Sequence, residues 1–231
     1  VALLEADPEG QPKQRFAGEW LHPQGVEALQ KLGFGEIAEK MGRPRGRGFV
    51  VYPGHGESPV KLDYVDGQIG LAFHHGDLVE EMRRIVANTP GVSFLSGVRV
   101  KSADDHGVIL ENGQRMEAGR VIGADGRASV VRRSLRGASS HKPISAMTGI
   151  LLEGVGAPYP DYGHVFLGQP SFLLGYEIAP QTVRICVDVP LKYKAEMKDP
   201  DWLIEAIRDT LPPLWRQSAA EQIRKGHLSW Q

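Results

Sequence analysis

The sequence predicts an α/β (α+β) fold in which a nucleotide-binding type of α/β portion precedes a mostly antiparallel β-sheet. Three observations support this prediction. Up to residue 143, short apolar runs typical of strands alternate with amphipathic helical patterns. From residue 144, four strand-like runs follow one another with only Gly/Pro turns between them, which favours an antiparallel sheet. The runs 201–210 and 213–225 then predict two closing helices.

The composition is that of an ordinary globular protein and excludes several functional classes. The 231 residues are 41% hydrophobic, and 27 Lys+Arg balance 28 Asp+Glu, so the chain lacks the basic footprint of a nucleic-acid-binding protein. Cys186 is the only cysteine, which excludes an intrachain disulfide, and its apolar neighbours predict a buried strand position. No apolar run approaches the roughly 20 residues that a membrane-spanning helix needs. These features suit a cytoplasmic location.

The first part of the chain begins with a strand signal that ends in an acid. The run "VALLE" predicts a short buried strand whose last residue is Glu5. A carboxylate at a strand end can accept two hydrogen bonds from ribose hydroxyls, although Glu5 alone is weak evidence for a nucleotide. Further along, residues 62–73 predict a hairpin that turns at Asp66-Gly67.

A second strand-end acid occurs in the run "VIGADGRASVVRRSL", residues 121–135. The pattern predicts the end of a buried strand at Ile122, a turn at Asp125-Gly126 and a helix capped by Ser129. Gly126 suits a backbone of positive φ or one that closely approaches a ligand. Taken alone, the run is more typical of a plain strand-to-helix turn with an Asx cap than of a ligand site.

Four runs in order resemble the FAD-dependent monooxygenases of the aromatic-hydroxylase class. They are "VALLEADP", "RFAGEWLHPQGVEALQKLG", "AFHHGDLVEEMRRIVANTPGVSFLSGVRV" and "VIGADGRASVVRRSL". A narrower resemblance, to squalene monooxygenases (squalene epoxidases) and their bacterial relatives, is carried by the Gly-Glu-x-Leu-x-Pro-x-Gly run at 18–25, by "AFHHG" at 72–76, and by "QPSFLLGYEIAPQTVRICVDV". The resemblance implies a Rossmann-like FAD/NAD(P)-binding portion over 1–143, with 42–75 contributing to the substrate sheet. It implies an antiparallel substrate-binding portion over 144–231.

The resemblance also implies a set of site residues. Those expected to bind the cofactor are Glu5, Arg15, Trp20, Arg83, Arg99 and Asp125. Glu5 would hold the adenosine ribose, Arg83 would meet diphosphate or ribose oxygens, and Arg99 would act through its backbone. Asp125 would lie near the FAD and NADPH phosphates, with Arg132 tying its loop to the following helix.

The implied substrate pocket is apolar and consists of Phe49, Leu174 and Tyr176. Phe49 stands where squalene monooxygenases carry a tyrosine that matters for activity, so a hydroxyl is missing there. On the strand "SFLLGYEI", the period of two places Phe172, Leu174, Tyr176 and Ile178 on one face.

The implied activity is insertion of one oxygen atom from O2 into a lipophilic substrate, by epoxidation or hydroxylation through a flavin C4a-hydroperoxide. NADPH would donate electrons directly or through a reductase partner, and peripheral membrane association is left open. The flavin performs the chemistry, so we assign no catalytic side chain. We expect no metal site, because the adjacent His74 and His75 would point to opposite faces of a strand.

Two alternatives remain at this point: a flavin reductase of the geranylgeranyl type, and a non-catalytic binding domain derived from a flavoprotein. The chain opens without Met inside an apolar run, so we expect an internal piece of a longer protein. The Gly-rich phosphate loop of the family would precede it, and the family's Gly-Asp-Ala segment would follow residue 231.

Overall fold

The structure is a computed structural model of the chain, and it describes residues 1–8, 19–41, 45–54, 57–137, 142–168 and 170–230. The described helices are α1 (Pro23–Lys31), α2 (Gly35–Met41), α3 (His75–Ala87), α4 (Val130–Arg136), α5 (Pro200–Arg208) and α6 (Pro213–Arg224). The described strands are β1 (Ala2–Leu4), β2 (Trp20–Leu21), β3 (Arg45–Gly46), β4 (Gly48–Tyr52), β5 (Val60–Asp63), β6 (Gly70–Ala72), β7 (Ser93–Leu95), β8 (Val100–Asp104), β9 (Gly107–Leu110), β10 (Arg115–Glu117), β11 (Ser145–Glu153), β12 (Tyr162–Phe166), β13 (Leu173–Ala179), β14 (Thr182–Pro190) and β15 (Ser229–Trp230). The mixture of helices and sheets confirms the predicted α/β class.

The chain divides into two compact units. The first unit comprises Val1–Lys13 and Val79–Lys142, and the second comprises Gln14–Leu78 and Pro143–Gln231. The chain therefore leaves the first unit after β1, builds part of the second, and returns to the first along α3. The assignment of a cofactor-binding and a substrate-binding portion stays a prediction.

The first unit contains two small sheets and one apolar cluster. Strand β1 pairs with β7 in parallel, and β8, β9 and β10 form an antiparallel sheet. Helix α4 packs on β8 and places Val131 in a cluster with Ala103, Val108 and Leu110. Leu4, the last residue of β1, packs against the same cluster, so its neighbour Glu5 lies at the rim of this core.

The second unit contains a seven-stranded sheet in the order β15-β11-β14-β13-β12-β4-β5. All described pairings in it are antiparallel except that of β12 with β4. The four strand-like runs predicted after residue 144 are β11 to β14, and they pair antiparallel as expected. Strands β2, β6 and β3 form a separate three-stranded sheet in this unit.

The two closing helices cover one face of the seven-stranded sheet. Alternate residues of β14, such as Val183 and Ile185, are fully buried on that face, as the period of a strand requires. Helices α5 and α6 bury Leu203, Ile207 and Trp215 against them. This apolar core is the largest of the described clusters and fixes the sheet as a rigid support.

Three local predictions are wrong. Residues 62–73 do not form a hairpin, because β5 pairs with β4 while β6 pairs with β2 and β3. A 3-10 turn with Asp66 at φ 54° separates the two strands, so the local turn signal joins different sheets. Ile122 is 83% exposed and lies outside any strand. Strand β1 exists, but its Leu3 is 43% exposed rather than buried.

His164 of β12 is a buried imidazole that makes the second unit acid-sensitive. It is fully buried, its Nε2 accepts the backbone N–H of Tyr159 at 3.2 Å, and its ring lies 5.5 Å from that of Trp215. Burial lowers the pKa of His164 to about 4 because it disfavours the charged imidazolium, while the nearby backbone of Gly175 and Tyr162 acts in the opposite direction.

We expect the free energy of unfolding to fall as the pH is lowered from 6.5 to 4. In that range the His164 side chain takes up a proton in the unfolded state but not in the folded state. Above this range both states are neutral, and below it both are charged. The free energy of unfolding should change by about 1.4 kcal/mol per pH unit, which amounts to roughly 3 kcal/mol over the whole range. Urea unfolding measured across this range tests the expectation, with the non-titrating variant His164→Gln as control. An equal slope in the variant would show that His164 is not responsible.

Candidate functional site

Glu5 and Arg83, far apart in the chain, form an ion pair in the first unit. The Arg83 Nη2 lies 3.0 Å from the Glu5 Oε2, and the Arg83 side chain is only 8% exposed. The other oxygen of Glu5 accepts the backbone N–H of Asp7 at 3.0 Å. The backbone N–H of Val98 donates to the Glu5 carbonyl at 2.9 Å. The structure thus brings two predicted cofactor residues together at the carboxyl end of a parallel strand pair, where nucleotides bind in open α/β sheets.

The chemistry of this pair fits an adenosine ribose and its phosphates. Glu5 remains about one-third exposed, so its carboxylate retains lone pairs for hydroxyl donors. The Arg83 Nε is buried and has no hydrogen-bond partner among the described residues. A buried donor without a partner is costly, and an oxygen-rich ligand would satisfy it.

The other predicted cofactor residues differ in their environment. Arg99 is exposed, and its carbonyl accepts the backbone N–H of Glu111 at 3.0 Å. Arg99 directly follows Val98, whose backbone N–H donates to Glu5. Arg15 lies outside the described residues. The cofactor roles of both remain predictions.

Asp125 caps helix α4. Its carboxylate accepts the hydroxyl of Ser129 and the backbone N–H groups of Val130, at 2.6 Å, and Val131, at 3.2 Å. Burial raises the pKa of Asp125, but the Ser129 hydroxyl and the backbone amides outweigh this and hold it below its ordinary value. Ser129 is the helix N-cap, as predicted, and accepts from the backbone of Arg132.

The predicted turn around Asp125 is confirmed in two further details. Gly126 has φ 77°, which suits glycine, and the Arg132 guanidinium donates to the carbonyl of Arg127, so it ties the loop to the helix. No contact joins Asp125 to the Glu5–Arg83 pair among the described residues. Asp125 lies in the same unit as that pair, and its carboxylate is occupied by the first turn of α4.

In the second unit, the sheet face opposite the closing helices carries an aromatic cluster, made of Trp20, His22, Phe49, Tyr64 and Tyr176. The Trp20 ring lies 5.6 Å from Phe49 and 5.8 Å from Tyr176. The Phe49 ring lies 5.6 Å from His22 and 6.2 Å from Tyr64. The structure thus places Trp20, predicted as a cofactor residue, beside two residues of the predicted substrate pocket.

Strand alternation explains which side chains reach this face. Leu173 packs on the helix-covered face, whereas Leu174, Tyr176 and Ile178 pack on the other, as the period of two predicts. Phe172 precedes β13 and is 43% exposed, so it does not extend the strand pattern. Leu174 and Trp20 pack against the same buried group, which brings all three predicted pocket residues into one region.

Cys186 is also part of this face and is buried, as predicted. Its Sγ lies 3.6 Å from the Tyr176 hydroxyl. Burial raises the pKa of Cys186 to about 11, so the thiol stays protonated and unreactive at neutral pH. Burial likewise raises the pKa of Tyr176.

Beneath the aromatic cluster lies a buried ion pair to which sequence reasoning assigned no role. Arg184 of β14 holds Glu19 in a bidentate contact, with Nε–Oε2 at 2.8 Å and Nη2–Oε1 at 3.0 Å. Glu19 is 2% exposed and Arg184 12%. Two features of the sequence indicated this pair: Arg184 is the one cation in the apolar run "VRICVDV", and Glu19 is the acid of the Gly-Glu run. Because Glu19 precedes Trp20 directly, the pair anchors the strand that carries the indole.

Two glycines provide the space in which the aromatic rings lie. A Cβ on Gly46 would overlap the Trp20 indole, and a Cβ on Gly163 would overlap the Phe49 ring. Both rings therefore lie directly over backbone, which limits the positions that each ring can take.

We expect Gly46→Ala to displace the Trp20 indole and to cost about 1–3 kcal/mol of stability, because the added methyl overpacks the site. Tryptophan fluorescence and urea unfolding measure the two effects. Gly119→Ala is the matched control, since nothing lies within 4 Å of the added methyl there. An unchanged emission spectrum in Gly46→Ala would contradict the placement of the indole.

The adjacent histidines do not lie on a strand as expected, because His75 is the first residue of α3. The argument from strand alternation is therefore wrong. In the described part of the chain, no group of three or more His, Cys, Asp or Glu side chains is arranged to hold a metal ion. No described helix is long and apolar enough to cross a membrane.

Comparison with known proteins identifies the relatives of this chain. Residues 117–230 match the family model described as squalene epoxidase. Squalene epoxidase 3 of Arabidopsis thaliana is 30% identical over 93% of this chain and 43% of its own length. Squalene monooxygenase of Mus musculus is 28% identical over 99% of this chain and 41% of its own length. The chain thus spans about two-fifths of the curated relatives it matches.

A solved structure supports the fold. HpxO of Klebsiella pneumoniae, crystallised with FAD and uric acid, superposes with a TM-score of 0.74 at 18% identity and covers 100% of this chain and 66% of its own. At that identity the likeness shows the fold alone. The predicted resemblance is confirmed: residues 117–230 match the squalene epoxidase family model, squalene monooxygenases are homologous to nearly the whole chain, and the fold is that of the FAD-bound HpxO structure.

Proposed function

We propose that this squalene epoxidase relative is an FAD-dependent monooxygenase that inserts one oxygen atom from O2 into a lipophilic substrate, by epoxidation or hydroxylation. The observation that carries the proposal is the Glu5–Arg83 pair at the end of a parallel strand pair. A strand-end carboxylate together with a buried arginine that has a donor to spare forms a donor and acceptor set for a dinucleotide.

In this proposal, Glu5 accepts hydroxyl groups of the adenosine ribose, and Arg83 donates to ribose or phosphate oxygens. Asp125 and the N-terminal turn of α4 lie in the same unit, and the backbone around Arg99 adjoins Glu5. FAD, when bound, supplies the redox chemistry that activates O2. The chain itself then has to bind, orient and shield the reactants.

The aromatic cluster supplies the surface for a lipophilic substrate. Ring faces of Trp20 and Phe49 and the side chain of Leu174 offer hydrocarbon contact, which favours apolar ligands through release of water. The sheet and the close contacts of the two rings with Gly46 and Gly163 hold these side chains in place. A dry surface also limits unproductive decay of activated oxygen.

The remaining parts of the proposal concern partners and location. Electrons would come from NADPH, directly or through a reductase partner. The protein would act in the cytoplasm, with peripheral attachment to a membrane as the source of a lipophilic substrate. The names of the squalene monooxygenase relatives support the substrate class.

The test is FAD binding by the protein and by the variant Arg83→Gln. We expect the purified protein to show a flavin absorbance spectrum, and we expect Arg83→Gln to weaken FAD binding by tenfold or more, about 1.4 kcal/mol. Arg84→Gln is the matched control, because the Arg84 side chain is 63% exposed and its one ion pair among the described residues is with Glu81 at the helix surface.

Each other outcome points to a named alternative. A colourless protein that takes up no FAD would favour a non-catalytic binding domain. Consumption of NADPH that needs no O2 would favour a flavin reductase. Equal FAD affinity of Arg83→Gln and the unmodified protein would remove the Glu5–Arg83 pair from the cofactor site.

A further inference from the structure

The aromatic cluster contains a chain of hydrogen bonds whose direction is fixed by chemistry. The Trp20 Nε1 lies 3.1 Å from the Tyr64 hydroxyl, and that hydroxyl lies 2.8 Å from the His22 Nδ1. An indole N–H can only donate, so the Tyr64 oxygen accepts from Trp20. The Tyr64 hydroxyl proton is then free to be donated, and its acceptor is the His22 Nδ1. The neutral imidazole then carries its own proton on Nε2.

The last group of this hydrogen-bond series, the Nε2–H of His22, is a donor without a partner in the part of the chain that the structure describes. Among the described residues, the His22 imidazole has no hydrogen bond other than that with Tyr64. Its side chain is exposed, and its ring lies 5.6 Å from Phe49, so the free N–H borders the hydrocarbon surface of the cluster. Phe49 itself offers no hydroxyl there. The polar group of this surface therefore comes from the Trp20–Tyr64–His22 chain rather than from position 49.

We infer that Tyr64 is a positioning residue that holds Trp20 and His22 in place, and that His22 Nε2–H recognises a hydrogen-bond acceptor on an otherwise apolar substrate. This inference rests on the proposed function and narrows its substrate class. The ligand would be a lipophile with an oxygen acceptor, such as a carbonyl or ether oxygen, at the end that lies over Phe49. Tyr64 acts indirectly, because its hydroxyl leaves His22 with Nε2 as the donor.

The experiment compares two probes of equal size by equilibrium dialysis against the unmodified protein. One is geranylacetone, and the other is the hydrocarbon in which a methylene replaces its carbonyl. We expect geranylacetone to bind about tenfold more tightly, which corresponds to one hydrogen bond of roughly 1.4 kcal/mol. In Tyr64→Phe and in His22→Phe this preference should fall below about threefold, while the hydrocarbon affinity stays within a factor of about three.

Tyr162→Phe is the matched control, since the Tyr162 hydroxyl bonds Asp63 at 2.6 Å and no member of the aromatic cluster. It should keep the tenfold preference. A second readout is hydrogen exchange of the Trp20 indole N–H by NMR, which should accelerate in Tyr64→Phe and not in Tyr162→Phe. A purely structural loss would alter both probe affinities together instead of their ratio.

The outcomes separate this inference from the proposed function. Equal binding of the two probes, or a preference that survives Tyr64→Phe, overturns the inference even if the protein takes up FAD. A protein that takes up no FAD but shows the Tyr64-dependent preference retains the His22 donor site and loses the monooxygenase proposal. Failure of both probes to bind overturns the placement of the substrate at the aromatic cluster.

Discussion

Replacing Arg184 by methionine lowers the free energy of unfolding by about 3–5 kcal/mol, because it leaves the Glu19 carboxylate buried without a counter-ion. Both oxygens of Glu19 are held by the guanidinium, and no other partner among the described residues compensates for the loss. The Trp20 strand should loosen at the same time, with a change in indole fluorescence. Urea unfolding followed by circular dichroism gives the free energy.

Two controls show whether burial is the cause. Arg115→Met breaks a bidentate pair with Asp104 of similar geometry, but both side chains are well exposed, so we expect a loss of stability much smaller than that of Arg184→Met. The double variant Glu19→Met/Arg184→Met should regain most of the lost stability, since a buried ion pair can be replaced by apolar side chains. A loss below 1 kcal/mol in Arg184→Met would mean that water reaches Glu19.

Trp215→Ala is the second variant with a large expected effect, again a loss of about 3–5 kcal/mol. The indole is fully buried, packs 5.5 Å from the Phe166 ring, and lies over Gly175, where a Cβ would collide with it. Its Nε1 donates to the carbonyl of Gly156 at 2.9 Å. In Trp215→Ala this carbonyl loses its donor. The cavity cannot close, because the sheet and α5 hold its walls.

The matched control for this variant is Trp230→Ala. Trp230 of β15 is 39% exposed, so the same substitution should cost under about 1.5 kcal/mol. Equal losses in the two variants would contradict a core centred on Trp215. Thermal unfolding should show the same order as urea unfolding.

The residues of the site divide into those that a sequence can indicate and those that it cannot. Glu5 and Arg83 were predicted as members of one cofactor site through the family resemblance, but no local sequence pattern indicated that their side chains form an ion pair. Tyr64 carried no signal at all, because its importance comes from the approach of Trp20 and His22, which lie more than 40 positions earlier in the chain. Arg184 did carry a signal, as a charge within an apolar strand, but its partner lies 165 positions away.

The prediction errors have a common origin. Asp66-Gly67 was interpreted as a hairpin turn, and its positive φ values are real, yet the strands on either side join different sheets. Turn chemistry fixes the local backbone, whereas strand partners are chosen by burial across the whole unit.

By itself, the sequence determined the fold class, the four antiparallel strands after residue 144, the closing helices, the cap at Ser129 and the family resemblance. These depend on periodicity and on side chains that act on their own backbone within a few positions. Only the tertiary structure decided the pairing of Glu5 with Arg83, the buried Glu19–Arg184 contact and the Trp20–Tyr64–His22 chain. Those contacts join residues that are distant in the chain, and packing of the sheets sets the distances between them.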